Sequence, residues 1–358
     1  MKIKYYLNFE KENRTSMDNY AQRLINYQKK NYKNSKIDFY KPKINYFSNL
    51  LLPKIWMMRY SRYISYPKQI KKIPMHDISH VCDHQYAHLF PYLNSKIKFV
   101  TVHDLIPLVF QKRLNKNPLL NKYTFSKLKF FTKVFARSEN TKKDIVKYTD
   151  CPEKKIEVIL DNAEDYFDNL PINKNDVLKK YNIPSDKKKI LISGNIFYKN
   201  HTISYKVLKN LITINKNIIF VHIGCGKENI VSSDIKNNII QLPFVERKEI
   251  PNIYKICDVL FFPSIYEGFG LPILEAMSCG IPVVCSDNSS IPEVAGDAAL
   301  MSDCNDIDKF TKNILYILNN EEVYLSMVNK SLLRSKSFSP YKFNNNIIRI
   351  YEEELNKF

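Results

Sequence analysis

The chain has 358 residues, 44% hydrophobic and 25% charged, with 55 Lys/Arg against 36 Asp/Glu and a net charge of +19. Such a chain can bury the cores of two ordinary domains, which excludes intrinsic disorder. No apolar run is as long as a membrane span, and the seven scattered Cys form neither C-x-x-C nor a zinc-spaced cluster, so reduced thiols in a cytoplasm are expected.

Lys2–Phe9 reads as a first strand rather than a signal peptide. Asp18–Lys30 carries apolar residues at helical spacing. Ile78–Cys82, Lys98–Val102 and Lys133–Ala136 read as short strands. Thr141–Tyr148 reads as a helix capped by Asn140 or Thr141, and Ile156–Leu160 as a strand. From Asp161 to Lys189 the chain is polar, which places a domain boundary there. A second alternation begins with Ile190–Ser193, followed by helix His201–Ile214 and strand Ile218–Ile223. Asp306-Ile-Asp308 fits a helix cap better than a metal site. The tail from Phe338 to Phe358 is helix-like. Strands alternating with helices predict a doubly wound α/β fold.

The densest stretch is Phe261–Val294. Strand Val259–Pro263 leads into Glu267-Gly-Phe-Gly270. A helix opening at Pro272 and stopping at Gly280 carries Glu275 in its first turn, and strand Ile281–Cys285 follows. In open α/β sheets, that strand edge is where ligands bind. Helix N–H groups there hold phosphate oxygens, and carboxylates accept from sugar hydroxyls. With E-G-F-G-L-P, L-E-A-M, G-I-P-V-V and I-P-E-V in order, the segment resembles the donor-binding signature of the retaining glycosyltransferases of family 4.

The resemblance implies a GT-B fold: two Rossmann-like domains facing across a cleft. Its domains would be residues 1–170 on the acceptor side and 171–337 on the nucleotide-sugar side. Residues 338–358 would form a helix crossing back to the first domain, because Phe338-Ser-Pro-Tyr-Lys-Phe343 resembles the family's tail. By resemblance, Glu275 holds ribose hydroxyls, Glu267 the donor sugar, and Lys199 the diphosphate from the loop Ile190–Asn200. His103, in Thr101-Val-His-Asp-Leu-Ile-Pro107, would contact the sugar from the opposite wall, with a ring able to donate and accept at once. Asp104 braces that loop. Gly268, Phe269, Gly270, Leu271 and Asn200 complete the donor loops, and Phe244-Val245 falls where relatives hold the base. Ser16, in place of a family glycine, can cap a helix or donate to phosphate. Asn195 and Tyr198 stand where the family carries an Arg, which lowers the positive charge of the loop. No metal and no cofactor beyond the nucleotide-sugar substrate is expected. His84 and His88 read as packing or acceptor contacts.

The implied activity is retaining hexosyl transfer to a hydroxyl of a glycan or lipid-linked acceptor, in cell-surface polysaccharide or lipopolysaccharide synthesis. A hydrolase or epimerase of the same fold, or an inactive relative, are the alternatives. A nucleic-acid-binding protein is suggested by charge alone, without a motif, and no nucleic-acid partner is expected. Residues 1–170 carry 32 Lys/Arg and 16 Asp/Glu, net +16, against +3 for the rest. That asymmetry suits an anionic membrane surface and a peripheral position at its inner face, or compositional drift. Leu50–Lys72, with the sole Trp, reads either as an interfacial basic-aromatic segment or as a helix packed on the sheet.

Overall fold

Among the residues described by a computed structural model, twelve strands form two six-stranded, all-parallel sheets. Every residue is described except 10, 11, 13, 44–53, 115–117, 164–166, 168–171, 227–231 and 358, and the side chain of Lys54. The first sheet joins β1 (Lys2–Tyr6), β2 (Lys36–Tyr40), β3 (His76–Val81), β4 (Ser95–Val102), β5 (Lys133–Ala136) and β6 (Ile156–Val158), in the order β2-β1-β3-β4-β5-β6. The second joins β7 (Lys188–Ser193), β8 (Ile218–Ile223), β9 (Ile239–Leu242), β10 (Val259–Phe262), β11 (Val283–Ser286) and β12 (Ala299–Ser302), in the order β12-β11-β10-β7-β8-β9. Parallel neighbours need a crossover between them, and helices supply it. The strands read as unbroken apolar runs because both faces are covered: all six residues of β8 are buried.

The chain divides into two compact units, Met1–Leu160 with Tyr341–Phe358, and Asp161–Pro340. Helix Pro340–Leu355 belongs to the first unit's core. Phe343, Ile347 and Tyr351, at helical spacing, pack with Tyr5, Leu24 and Phe99. The Tyr351 and Phe99 rings lie 4.6 Å apart, and the Tyr351 hydroxyl meets His80 Nδ1.

The strand order fixes where a ligand can sit. In each sheet two neighbouring strands send their connections to opposite faces, and the crevice at their carboxyl ends is the ligand edge. In the second sheet these are β7 and β10, and in the first β1 and β3.

Several local expectations need correction. Strand β2 is absent from the sequence reading because Lys36-Ile-Asp-Phe-Tyr40 is a short edge strand with little buried surface. The first helix spans Thr15–Asn31 and has Arg14 at its N-cap, so Ser16 is an exposed first-turn residue and not a cap. The helix read as Thr141–Tyr148 starts at Glu139, and its cap is Ser138, whose Oγ accepts from Thr141 N–H at 3.0 Å. Asp306 does cap helix Ile307–Leu318, accepting from Lys309 N–H at 2.9 Å. The segment read as Leu50–Lys72 has residues 50–53 outside the described chain. The rest is helix Lys54–Tyr60, a wide turn Ser61–Ser65 and helix Tyr66–Ile70.

Candidate active site

β7 ends at Ser193, and Gly194 turns the chain with φ +85. That conformation is costly for any residue with a Cβ, and a Cβ there would lie 3.2 Å from Lys199 Cγ. Lys199 closes a tight turn, Phe197–Lys199, instead of opening the helix. Asn200 adopts the left-handed conformation, φ 60 and ψ 43, and helix His201–Ile214 starts after it. The Asn200 side chain is committed: its Nδ2 donates to the carbonyls of Cys304 (2.8 Å) and Pro263 (3.2 Å). This ties the β7 loop to the β10 loop. Asn195 is exposed, with its side chain beside Gly226.

The β10 loop brings Glu267 to Lys199. Lys199 Nζ lies 2.8 Å from Glu267 Oε1 and 4.4 Å from the centre of the Phe262 ring. Both side chains are largely buried, where an ion pair is screened much less than at the surface. Glu267 is also held through its backbone. Its N–H donates to Ser289 Oγ at 2.8 Å, and Ser290 Oγ donates to its carbonyl at 2.9 Å and to that of Phe269 at 3.0 Å. Phe269 turns into the core, edge-on to Phe338, while Gly270 at φ +107 starts helix Leu271–Ser278. Gly280 then takes φ +69, and the N–H of Ile281 reaches back to Ala276 at 2.9 Å, a glycine C-terminal cap.

Glu275 is the fifth residue of its helix, one residue deeper than the sequence reading places it and just past the first turn. Its carboxylate is fully engaged. Arg247 Nη2 donates to Oε1 at 2.5 Å, and Tyr254 OH to Oε2 at 3.0 Å. Burial and the Glu275 charge push the Tyr254 hydroxyl pKa well above its usual value, so it remains a donor. Arg247 lies over the Phe167 ring at 5.2 Å. The sequence gives no sign of it: Glu246-Arg-Lys-Glu249 reads as a solvated charge run. Phe244 is 80% exposed and Val245 packs against the second core.

In the first unit His103 follows β4. Its ring nitrogens are both taken. Arg137 can only donate, so Nδ1 accepts from it at 2.9 Å, and Nε2–H donates to the Cys82 carbonyl at 2.8 Å. Burial and the Arg137 charge hold the His103 pKa well below its usual range. The expectation of a ring that donates and accepts at a sugar hydroxyl therefore needs correction: the ring is a fixed neutral tautomer. Burial also lowers Arg137, to about 9. Asp104 braces the loop through Ile106 N–H at 3.0 Å. At the first sheet's own switch point Asp83, lowered to about 2, pairs with Arg14 at 2.6 Å and accepts from Asn8 at 3.0 Å. His84 stacks on Phe125, and His88 Nε2 lies 2.9 Å from the Arg62 carbonyl; both are packing residues.

Residues 173–333, which hold Lys199, Glu267 and Glu275, match the profile of glycosyl transferases group 1. Over those residues, a little under half of the chain, it is similar to this family. The chain is 46% identical over 98 residues to O-antigen chain mannosyltransferase B of Escherichia coli, covering 27% of this chain and 26% of that one. It is 28% identical over 255 residues to the serotype-specific mannosyltransferase WbdA of Escherichia coli, covering 66% and 31%. The chain thus spans about a quarter to a third of the length of these curated relatives. The whole chain is similar in fold to Anabaena Alr3699/HepE, solved in complex with UDP. The TM-score is 0.74 at 14% identity, covering 99% of this chain and 100% of that one. The two units, each built on one parallel sheet, are the two Rossmann-like halves of a GT-B fold.

Proposed function

We propose that the protein is a retaining glycosyltransferase that moves a hexose from a nucleotide-sugar donor to a hydroxyl of a glycan or lipid-linked acceptor, in cell-surface polysaccharide synthesis. The observation that carries this reading is the Lys199–Glu267 pair at the β7/β10 switch point, inside the family-matched residues. A buried ammonium beside a helix start suits a departing diphosphate, whose charge grows as the sugar leaves. Glu267, held from its backbone by two serines, accepts from hydroxyls of the donor sugar. Glu275 accepts from the ribose after exchanging the Arg247 bond. Arg247 then supplies the cation that Asn195 and Tyr198 do not. Gly268, Gly270 and Leu271 shape the donor loop, and Phe244 with Val245 borders the base. No second carboxylate stands ready for double displacement in this reading, so the acceptor hydroxyl attacks on the face the diphosphate leaves. The names of the Escherichia coli relatives make mannose the first sugar to test. The enzyme works in the cytoplasm, at an anionic membrane face where a lipid-linked acceptor is presented; among the described residues no helix is long and apolar enough to cross a membrane.

The test is nucleoside diphosphate release from a panel of UDP-, GDP- and ADP-hexoses, with and without an extract of envelope glycolipids. Acceptor-dependent release, with the sugar's anomeric configuration kept in the product, supports the reading. Equal release without acceptor would assign a hydrolase.

A further inference from the structure

The charge excess of this chain belongs to one unit alone. Residues 1–160 with 341–358 hold 35 Lys/Arg and 15 Asp/Glu, net +20, whereas 161–340 hold 20 and 21, net −1. Within the first unit the acids are also segregated. No Asp or Glu occurs between Asp38 and Asp77, or between Asp104 and Glu139. Compositional drift toward Lys would spread over both units, and this distribution does not.

The fold brings the two acid-free stretches together. Tyr63 OH, from the first stretch, lies 3.2 Å from Thr124 Oγ1 in helix Pro118–Phe125, from the second. Between them runs the short helical segment His84–Tyr92. Phe90 of this segment packs on Phe130 of the second stretch at 5.7 Å, and Lys71 of the first stretch lies over Tyr92 at 5.2 Å. Cations cover the neighbouring rings as well: Arg59 lies 5.4 Å from Trp56, and Lys127 4.8 Å from Tyr123. The same elements leave large apolar side chains in solvent, Trp56 at 56% and Leu119 at 76% exposed. Arg62 is not part of the free charge, because Glu12 binds it at 2.7 Å.

From this juxtaposition we infer that the face built by residues 54–72 and 118–130 docks on an anionic lipid bilayer, with Trp56 and Leu119 entering the headgroup region and Lys71 and Lys122 above it. Exposed apolar anchors beside exposed lysines are the composition of an interfacial segment, and its binding combines buried apolar area with attraction to anionic headgroups. Trp at that depth keeps its ring at the apolar edge and its N–H in the wet layer. The inference deepens the membrane-side reading of the acceptor given above. It rests on that reading only for the acceptor's location, since docking needs neither donor nor turnover.

The experiment is vesicle flotation of the full chain at low and high salt, with phosphatidylcholine vesicles and with vesicles containing phosphatidylglycerol. Three variants accompany it: Lys71→Glu/Lys122→Glu, Trp56→Ser/Leu119→Ser, and the control Lys216→Glu/Lys330→Glu, exposed lysines of the other unit. Melting temperature and nucleotide binding are read in parallel, so that misfolding is recognised. The wild type is expected to float with anionic vesicles only, and less at high salt. Each face variant is expected to lose at least about tenfold in partitioning, with the control unchanged. No flotation of the wild type, or equal loss in the control, overturns the docking face while leaving the donor site untouched. Tighter binding to a random-sequence RNA oligonucleotide than to the vesicles, through the same lysines, also overturns it and assigns the face to nucleic acid.

Discussion

Lys199 and Glu267, 68 positions apart in the chain, meet at 2.8 Å because the loops after β7 and β10 close on each other at the sheet's switch point. Each is the other's counter-charge in a largely buried setting, so neither can be removed alone without exposing the other to an uncompensated site.

Lys199→Ala is therefore expected to lower turnover by about two orders of magnitude or more, the scale seen when one preorganised group is removed from developing charge. Lys216→Ala, exposed in the same unit, is expected to leave it unchanged. Steady-state nucleoside diphosphate release compares the two. Equal rates would mean that the β7 loop does not carry the diphosphate.

A second consequence concerns Glu275, which holds Arg247 and Tyr254 before any donor arrives. Glu275→Ala should act twice. Without ligand it leaves a buried hydroxyl and a guanidinium without their acceptor, at a cost of about 1–3 kcal/mol in stability. With ligand it removes a charged acceptor for ribose hydroxyls, worth about 1.5–3 kcal/mol, or tenfold and more in affinity. Chemical denaturation and nucleotide calorimetry separate the two effects. A stability loss with unchanged nucleotide affinity would confine Glu275 to a structural role.

Gly194→Ala places a Cβ at φ +85 and 3.2 Å from Lys199 Cγ. The strain alone is expected to cost about 1–2 kcal/mol. Because the clashing atom belongs to Lys199, turnover should fall more than a mere stability loss at assay temperature accounts for. Rates on folded protein, checked by circular dichroism, decide this. Full activity would show that the loop relaxes freely.

All seven histidines are held below their usual pKa, burial being the first cause in each, with His80 at about 3 and His88 at about 4. His80, His88 and His201, the last also at about 4, remain neutral near pH 5 in the folded protein, while the unfolded chain takes up protons below about 6.5. Stability is therefore complete above pH 6.5. It falls with acid through the window down to the folded values, at roughly 1.4 kcal/mol per pH unit for each fully buried histidine. Denaturant titrations at pH 7.5, 6 and 5 are expected to show this decline. A flat profile would mean that these rings gain protonated partners.

Much of the fold can be read from the sequence because its strands are buried on both faces. Ile190–Ser193 and Ile218–Ile223 are apolar without interruption, and Gly280 with Pro272 marks both ends of a helix. Edge strand β2, half exposed, carries no such signal. At the site, Glu267, Glu275 and Lys199 are legible from local pattern. What completes them is not: Arg247 and Ser289 arrive from other turns and Tyr254 from helix Ile250–Ile256, and no spacing in a chain reports a contact between separate elements. The commitment of both His103 nitrogens is hidden for the same reason, since Arg137 lies one strand away on β5's carboxyl end.

The central claim is that the second unit holds a nucleotide-sugar donor between Lys199, Glu267 and Glu275. Isothermal titration of the full chain with UDP, GDP, ADP and their hexose conjugates tests it most directly, with the wild type and Glu275→Ala side by side. The account requires one nucleotide class to bind at one site per chain and to bind at least about tenfold more weakly to Glu275→Ala. Binding of none of these nucleotides, or equal binding to both proteins, would contradict it.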